Sequence, residues 1–318
     1  MSAIIISLLA AIIPMFTYLL IIWLMDKNER EPYGLVLVNF FWGAFGAIIL
    51  TLLFNPLFKS ILNLIIPISQ YSYTRFSDLS GAIIIAPVLE EFTKGIFLFF
   101  FSFSKNFDGV VDGLVYGAAI GLGFGMTENF LYFITAKEQI FLLIIIRTLF
   151  SALLHATSQA TFGIFIGYSK FKPLSVKLLL IPIGYITAVL IHFIWNFSVS
   201  YSELTILGFM FMFFYIIITI IIFKIAVKLE GQIIYKELIE EAENGVIPPE
   251  HLKYLPYVFL RKRSGWFLEE RKRKEYINST VLLALRKSQL QYVPEKKRNI
   301  YLNDIVYLRT KISVLLNK

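Results

Sequence analysis

The sequence predicts an all-α, polytopic bundle of about seven membrane-spanning helices followed by a water-facing helical tail. Three observations carry this reading. Hydrophobic residues fill 57% of the 318 positions and the mean hydropathy is +0.71, a balance no soluble domain of this length sustains, because its surface must be largely polar. Apolar windows of about 20 residues, the length that crosses a bilayer's hydrocarbon core, recur seven times before Leu229. Over half of the 30 basic and 22 acidic residues lie from Leu229 onward, which divides the chain into a membrane region, 1–228, and a basic helical tail, 229–318.

The windows fall at about 3–25, 34–55, 80–103, 110–133, 140–168, 174–199 and 204–228. The first has no basic residues before it and no small-residue cleavage site, so it is read as a retained helix and not a signal peptide. Between the second and third, the short apolar run 61–68 is expected to be interfacial or re-entrant. The third is bent by Pro87, which removes a backbone hydrogen bond. The fourth carries Gly113, Gly117, Gly121 and Gly125, a stripe that lets a neighbouring helix approach closely. Arg147, toward the outer end of the overlong fifth window, is expected to snorkel to the interface. In the tail, 229–244, 267–290 and 302–316 show helical periodicity, and Gly245 with Pro248 and Pro249 ends the first of them.

Charge gives the orientation. Lys27, Arg30, Lys105, Lys170, Lys172 and Lys177 fall in the loops on the tail's side, against Lys59, Arg75 and Lys137 opposite. The positive-inside bias therefore predicts an outer N-terminus and a cytoplasmic C-terminus. The clusters Arg261-Lys262-Arg263 and Arg271-Lys272-Arg273-Lys274 either form the solvated face of a small helical domain or bind anionic lipid headgroups. No nucleic-acid fold signature is present. The absence of cysteine excludes a thiol nucleophile, a thiolate metal site and any disulfide.

Six ionisable side chains lie inside the apolar windows: Glu90, Glu91, Lys94, Glu128, His155 and His192. Charge is costly in lipid, which makes each a functional candidate. Glu90 and Lys94 are four apart and share a helix face, while Glu91 points about 100° away. Two close carboxylates in a low dielectric cannot both ionise cheaply, which suits one of them to general acid or base work. The structural alternative is a Glu90–Lys94 ion pair that only orients helices. Glu128 follows Gly117 by eleven residues and returns to the same face, so it aims at a packed interface, with Asn129 beside it. For Asp112, near the cytoplasmic end, snorkelling or capping is explanation enough.

His155 lies on a polar stripe with Ser151, Ser158 and Gln159. His192 is followed one turn later by Asn196. A lone intramembrane histidine is more often a hydrogen-bonded helix contact than a ligand. Here two of the chain's three histidines are intramembrane, on stripes that can converge with two glutamate-bearing helices. His251, beside a proline turn in the tail, is read as incidental.

There is no HExxH, no GxSG and no GxGD, so the zinc, serine and aspartate arrangements of other intramembrane proteases are absent. The blocks APxxEExxK at 86–94, DGxxYGxxxGxGFxxxEN at 112–129, His155 with Gly163 eight residues later, HxxxN at 192–196 and the charged patch 26–32 stand in an order and spacing that resembles the PrsW intramembrane proteases. That family is related to the CAAX prenyl endopeptidases and the ABI proteins. The resemblance covers about 20–200 and leaves the tail outside it.

The resemblance implies an endopeptidase in a bacterial cell membrane, cutting another membrane protein near the outer leaflet, such as an anti-sigma factor. Carried over from the prenyl endopeptidases, Glu90 or Glu91 with His155 activates water, and His192 with Asn196 stabilises the oxyanion. Glu128 completes the expected catalytic set. His155, His192 and a carboxylate also suffice for a three-ligand zinc site with an open position. The sequence favours the metal-free glutamate mechanism, because HxxxN offers oxyanion donors and no outer partner for a metal-bound imidazole is visible. Counted from the outer span ends, Glu128, His192 and Glu90 lie roughly 9 to 15 Å deep and His155 deeper, compatible with one outer-leaflet cavity. The expected partners are a membrane-protein substrate and membrane lipid, with no nucleic acid. Two other classes compete. A transporter also lines its path with such residues, yet no inverted repeat is visible. A non-catalytic relative acting as an assembly factor would be expected to lose a polar partner, and all are present.

Overall fold

The computed structural model describes residues 2–65, 81–136, 140–267 and 269–316, and all regular elements among them are helical. Helix α1 is Ser2–Met25. Helix α2 joins Tyr33–Phe41, a π-helical stretch Trp42–Ala47, and Ile48–Ile65. Helix α3 joins a π-helical stretch Gly81–Ile85 to Ala86–Phe101, and α4 is Val110–Thr135. Helix α5 joins Ile140–Ile146, a π-helical stretch Arg147–Ser151, and Ala152–Ser169. Then come α6, Leu174–Ser200, and α7, Thr205–Glu243. A 3₁₀ turn at Pro249–Lys253 precedes α8, Val258–Arg261, α9, Glu270–Leu290, and α10, Glu295–Leu315.

Among the described residues six helices are long and apolar enough to cross a membrane: α1, α2, α4, α5, α6 and α7. The third window, expected to be a seventh span, is helical as α3, but Glu90, Glu91 and Lys94 fall within one short stretch of it, so length and hydropathy alone do not qualify it. The run 61–68 is helical as far as Ile65. Its remainder, and Arg75 and Lys137 of the orientation argument, lie outside the described residues.

The chain forms two compact units, one of Met1–Met25 with Glu31–Ile222, the other of Asp26–Arg30 with Phe223–Lys318. In the first, α4 is the central helix, with 89% of its apolar window buried against 17% for α6. Glycine makes that burial possible. A Cβ on Gly121 would overlap the carbonyl oxygen of His155 on α5, and a Cβ on Gly123 would overlap the carbonyl of Phe40 on α2. Without side chains there, α4 sits backbone to backbone against both neighbours, gaining dispersion contacts where lipid offers no hydrophobic drive. At the start of α4, Asp112 accepts the backbone N–H of Asp108 and Tyr116 donates its hydroxyl to Glu31. Asp112 therefore caps a turn.

The second unit closes around Ile234, Leu238, Tyr276, Leu283, Ala284 and Ile312. Gly245, at φ +71°, ends α7 in the left-handed conformation that glycine adopts without cost. Glu241 accepts from Arg309 at 2.7 and 2.9 Å and pairs with Lys287 at 2.7 Å. His251 packs among Trp266, Phe267 and Tyr276 and shares a 2.9 Å hydrogen bond with the Tyr276 hydroxyl. It is a core histidine of this unit.

Candidate metal and catalytic site

Helices α3, α4, α5 and α6 bring Glu90, Glu128, His155, His192 and Asn196 to one cavity of about 320 Å³. Ala82 at the start of α3, Tyr132 near the end of α4, Leu143 at the start of α5 and Ser200 at the end of α6 also line it. The cavity thus opens at a single end of the bundle. Along their helices Glu90, Glu128 and His192 lie roughly 10 to 14 Å from those ends, at 1.5 Å per residue. His155 is further from the start of α5, yet its ring centroid is 5.0 Å from that of His192.

The rotation of α3 decides which glutamate does what. Contacts that hold that helix include the Trp42 indole N–H on the Thr93 carbonyl at 3.2 Å, the Thr51 and Thr93 hydroxyls at 2.8 Å, and the Tyr185 hydroxyl on the Val88 carbonyl at 2.7 Å. Glu91 then turns into protein. Its Oε1 meets Lys94 Nζ at 2.6 Å, His192 Nδ1 at 2.8 Å and the Ser158 hydroxyl at 3.1 Å, and its Oε2 accepts from Gln159 at 2.8 Å. Glu91 and Lys94 are both wholly buried. Expected beside Glu90 as a water activator, Glu91 has its oxygens committed to protein donors and is not part of the cavity lining. Lys94 pairs with Glu91 at i,i+3 and not with Glu90 at i,i+4, so the structural alternative of a Glu90–Lys94 lock is not the pair that forms.

Glu90 has the opposite environment. Its Oε2 is buried, accepts no hydrogen bond among the described residues, and stands 3.9 Å from His192 Nε2. A buried carboxylate oxygen without a donor is costly and calls for an explanation such as a bound ion. One ligand atom each from Glu90, His155 and His192 lie within 4.8 Å of one another, the spacing of a site that can hold a metal ion.

The imidazoles are oriented from behind. A carboxylate only accepts, so His192 Nδ1 carries the proton and Nε2 keeps its lone pair toward Glu90. That is the carboxylate–histidine pairing that fixes a metal-ligating ring. Lys94 only donates, so His155 Nδ1 accepts from it at 3.2 Å while Nε2 donates to Glu128 Oε2 at 2.7 Å. For His155 Nε2 to hold a cation the ring proton must sit on Nδ1, which gives up both the Glu128 contact and the bond accepted from Lys94.

Glu128 is the more accessible carboxylate, its side chain 22% exposed. Arg147 donates to Glu128 Oε2 at 2.7 Å and to Asn129 Oδ1 at 2.9 Å, with its guanidinium 3.6 Å over the Tyr132 ring. This corrects the expectation that Arg147 snorkels to the interface: its side chain is 11% exposed and lines the cavity. The π-helical stretch that starts at Arg147 widens the turn and changes the register of α5. Positions 147, 151, 155 and 159 are all polar, and this run at intervals of four was the signal in the sequence that reached Arg147. Asn196 donates one amide N–H to the Ala82 carbonyl at 2.9 Å, tying the end of α6 to the π-helical start of α3. The Cβ-free contact of Gly121 with the His155 backbone sets the depth of the imidazole against α4.

A family model described as PrsW family intramembrane metalloprotease matches residues 31–223. Comparison with curated proteins finds no match, and neither does comparison with solved structures. The matched stretch takes in all four helices of the cavity and every residue of the Glu90–His155–His192 group. Over more than half of its length, and with a buried glutamate and two histidines gathered in a cavity among membrane helices, this chain belongs to the PrsW family of intramembrane metalloproteases.

Proposed function

We propose that the protein is a zinc-dependent endopeptidase that hydrolyses a peptide bond of another membrane protein inside the α3–α6 cavity, with Glu90, His155 and His192 holding the metal. The observation that carries this is the gathering of their ligand atoms within 4.8 Å around the donor-free Oε2 of Glu90. Two imidazoles and a carboxylate suit zinc and leave a position open. The sequence favours a metal-free mechanism partly for want of an outer partner for an imidazole; Glu91 on His192 Nδ1 is such a partner, and its presence turns the preference toward the metal.

Bound there, zinc supplies Lewis-acid activation of water and polarisation of the scissile carbonyl. Glu128, on the cavity wall and held by Arg147, takes the proton from the attacking water and delivers it to the leaving amine. Asn196 turns its second amide N–H to the substrate carbonyl oxygen. Glu91 keeps His192 in the tautomer with Nε2 free, and Lys94 neutralises Glu91 where water cannot. Arg147 holds Glu128 to one rotamer.

The cavity is open at one end of the bundle and walled by Leu154 and Trp195, which suits an apolar segment near a membrane surface. With the tail cytoplasmic that surface is the outer one, and a bacterial single-span protein such as an anti-sigma factor is the substrate class. Reporter fusions after Lys318 and between Tyr201 and Thr205 test the orientation; signals on the same side refute it. The function is tested by purified protein acting on single-span membrane proteins, with zinc measured before and after chelation. Near one zinc per chain, lost together with cleavage, is the expected result. Full cleavage by metal-free protein overturns the zinc assignment, and cleavage by Glu90→Gln equal to wild type overturns the site.

A further inference from the structure

The loop 257–263 of the second unit, a turn built on the four-residue α8, combines exposed aromatic rings with positive charge. Phe259 is 77% exposed and Tyr257 52% exposed, whereas Phe267 and Tyr276 of the same unit are buried in its core. The ring of Tyr235, itself exposed, lies 6.3 Å from that of Tyr257. Lys253, Lys262 and Arg263 are exposed, and among the described residues none of them makes an ion pair, while nearby Glu269 and Glu270 are taken by Lys272 and Arg273. An apolar ring that water solvates poorly, flanked by cations, is the pairing found where protein meets headgroups.

The unit also fixes where this loop lies. Arg261, buried, turns inward from the loop and donates to the carbonyls of Asn28 at 3.2 Å and Lys27 at 3.5 Å. Asn28 is held in turn by its amide on the Val227 carbonyl at 2.7 Å and on Glu230 at 2.9 Å. Lys27 and Asn28 follow the end of the membrane-crossing α1 at Met25 by two and three residues. At no more than about 3.6 Å per residue they stay within roughly 11 Å of the point where α1 leaves the hydrocarbon. The loop that Arg261 fastens to them is therefore tethered within reach of the headgroups. Burial lowers the Arg261 guanidinium to about 10, so this clamp stays charged at neutral pH.

We infer that the loop 257–263 docks on the bilayer in which the protein sits, with Phe259 and Tyr257 entering the interface and Lys253, Lys262 and Arg263 on anionic lipid headgroups. This surface is independent of the protease reading. It gives the second unit a fixed station on the membrane that responds to lipid charge.

The cysteine-free chain allows a single nitroxide label. Full-length protein carrying Phe259→Cys, and a control carrying Tyr307→Cys at another exposed ring of the unit, are reconstituted in phosphatidylcholine with or without phosphatidylglycerol. Collision rates with oxygen, which concentrates in hydrocarbon, and with a water-soluble nickel chelate are measured. In phosphatidylglycerol the label at 259 is expected to favour oxygen and the label at 307 the chelate. Lys262→Gln with Arg263→Gln should lower the docked-to-free ratio by about fivefold per cation, close to 30-fold for the pair. Removing phosphatidylglycerol should do the same without any change at the basic residues. A label at 259 that favours the chelate in phosphatidylglycerol, or behaves identically in both lipids, overturns the inference. Protection from both reagents also overturns it, because that marks contact with protein, such as a second copy of this chain.

Discussion

Replacing Glu91 with glutamine removes a charge on which a buried lysine and a site histidine both depend. Lys94 Nζ is 2.6 Å from Glu91 Oε1 with both side chains fully buried. Its other contacts are His155 Nδ1 at 3.2 Å and the face of Phe124 at 4.6 Å, neither of which carries a compensating charge. Removing one member of such a pair costs about 3–5 kcal/mol, which for a domain of this size lowers Tm by roughly 10 °C. In the same substitution His192 Nδ1 exchanges its 2.8 Å carboxylate acceptor for a neutral amide oxygen, and zinc affinity should fall by about 10- to 100-fold. The two losses separate in the double variant Glu91→Gln with Lys94→Met. Deleting both charges removes the stranded cation and leaves neither charge of the pair buried alone, so Tm should recover toward wild type while zinc affinity stays low. Thermal unfolding in detergent and metal titration of the three proteins supply the readouts. A Glu91→Gln protein that melts with wild type refutes the charge argument, and a double variant that regains full zinc affinity refutes the role of Glu91 behind His192.

Glu90→Gln should leave Tm near the wild-type value, because Oε2 has no donor to lose, while zinc content and cleavage both disappear; a cooperative loss of fold would place Glu90 in the packing instead. Arg147→Met should keep zinc bound but lower kcat by about 10- to 100-fold through the loss of Glu128 positioning, and unchanged kcat would remove Arg147 from the site. Gly121→Val has nowhere to put its side chain except into the His155 backbone, so it should unfold the bundle or expel zinc, whereas Gly34→Val, with nothing within 4 Å, should do neither. Asn196→Ala should reduce turnover by about 10²- to 10³-fold if its free N–H meets the oxyanion, with zinc content as the control; a kcat equal to wild type leaves Asn196 only its contact with Ala82.

The sequence by itself determined that the chain is a helical membrane protein, and that Glu90, Glu91, Lys94, Glu128, His155 and His192 are the residues to examine. Hydropathy over 20 positions is a local sum, and an ionisable group inside such a window stands out without knowledge of its neighbours. The stripe Gly113 to Gly125 likewise announced a close helix contact, because absent side chains leave few other uses for so many glycines in a row of turns. The partners were decided only in three dimensions. Glu90 and Glu91 are adjacent in the chain and chemically identical, and they part company because Trp42, Thr51 and Tyr185 set the rotation of α3, sending one carboxylate to the cavity and the other to Lys94 and His192. Ideal helical spacing placed Lys94 with Glu90 and sent Arg147 toward the interface. The charged pair formed at i,i+3 instead, and Arg147 met Glu128 at the start of a π-helical stretch in α5. Register and rotation depend on contacts made by distant segments, and in a low-dielectric interior those small differences in angle select which acid meets which base.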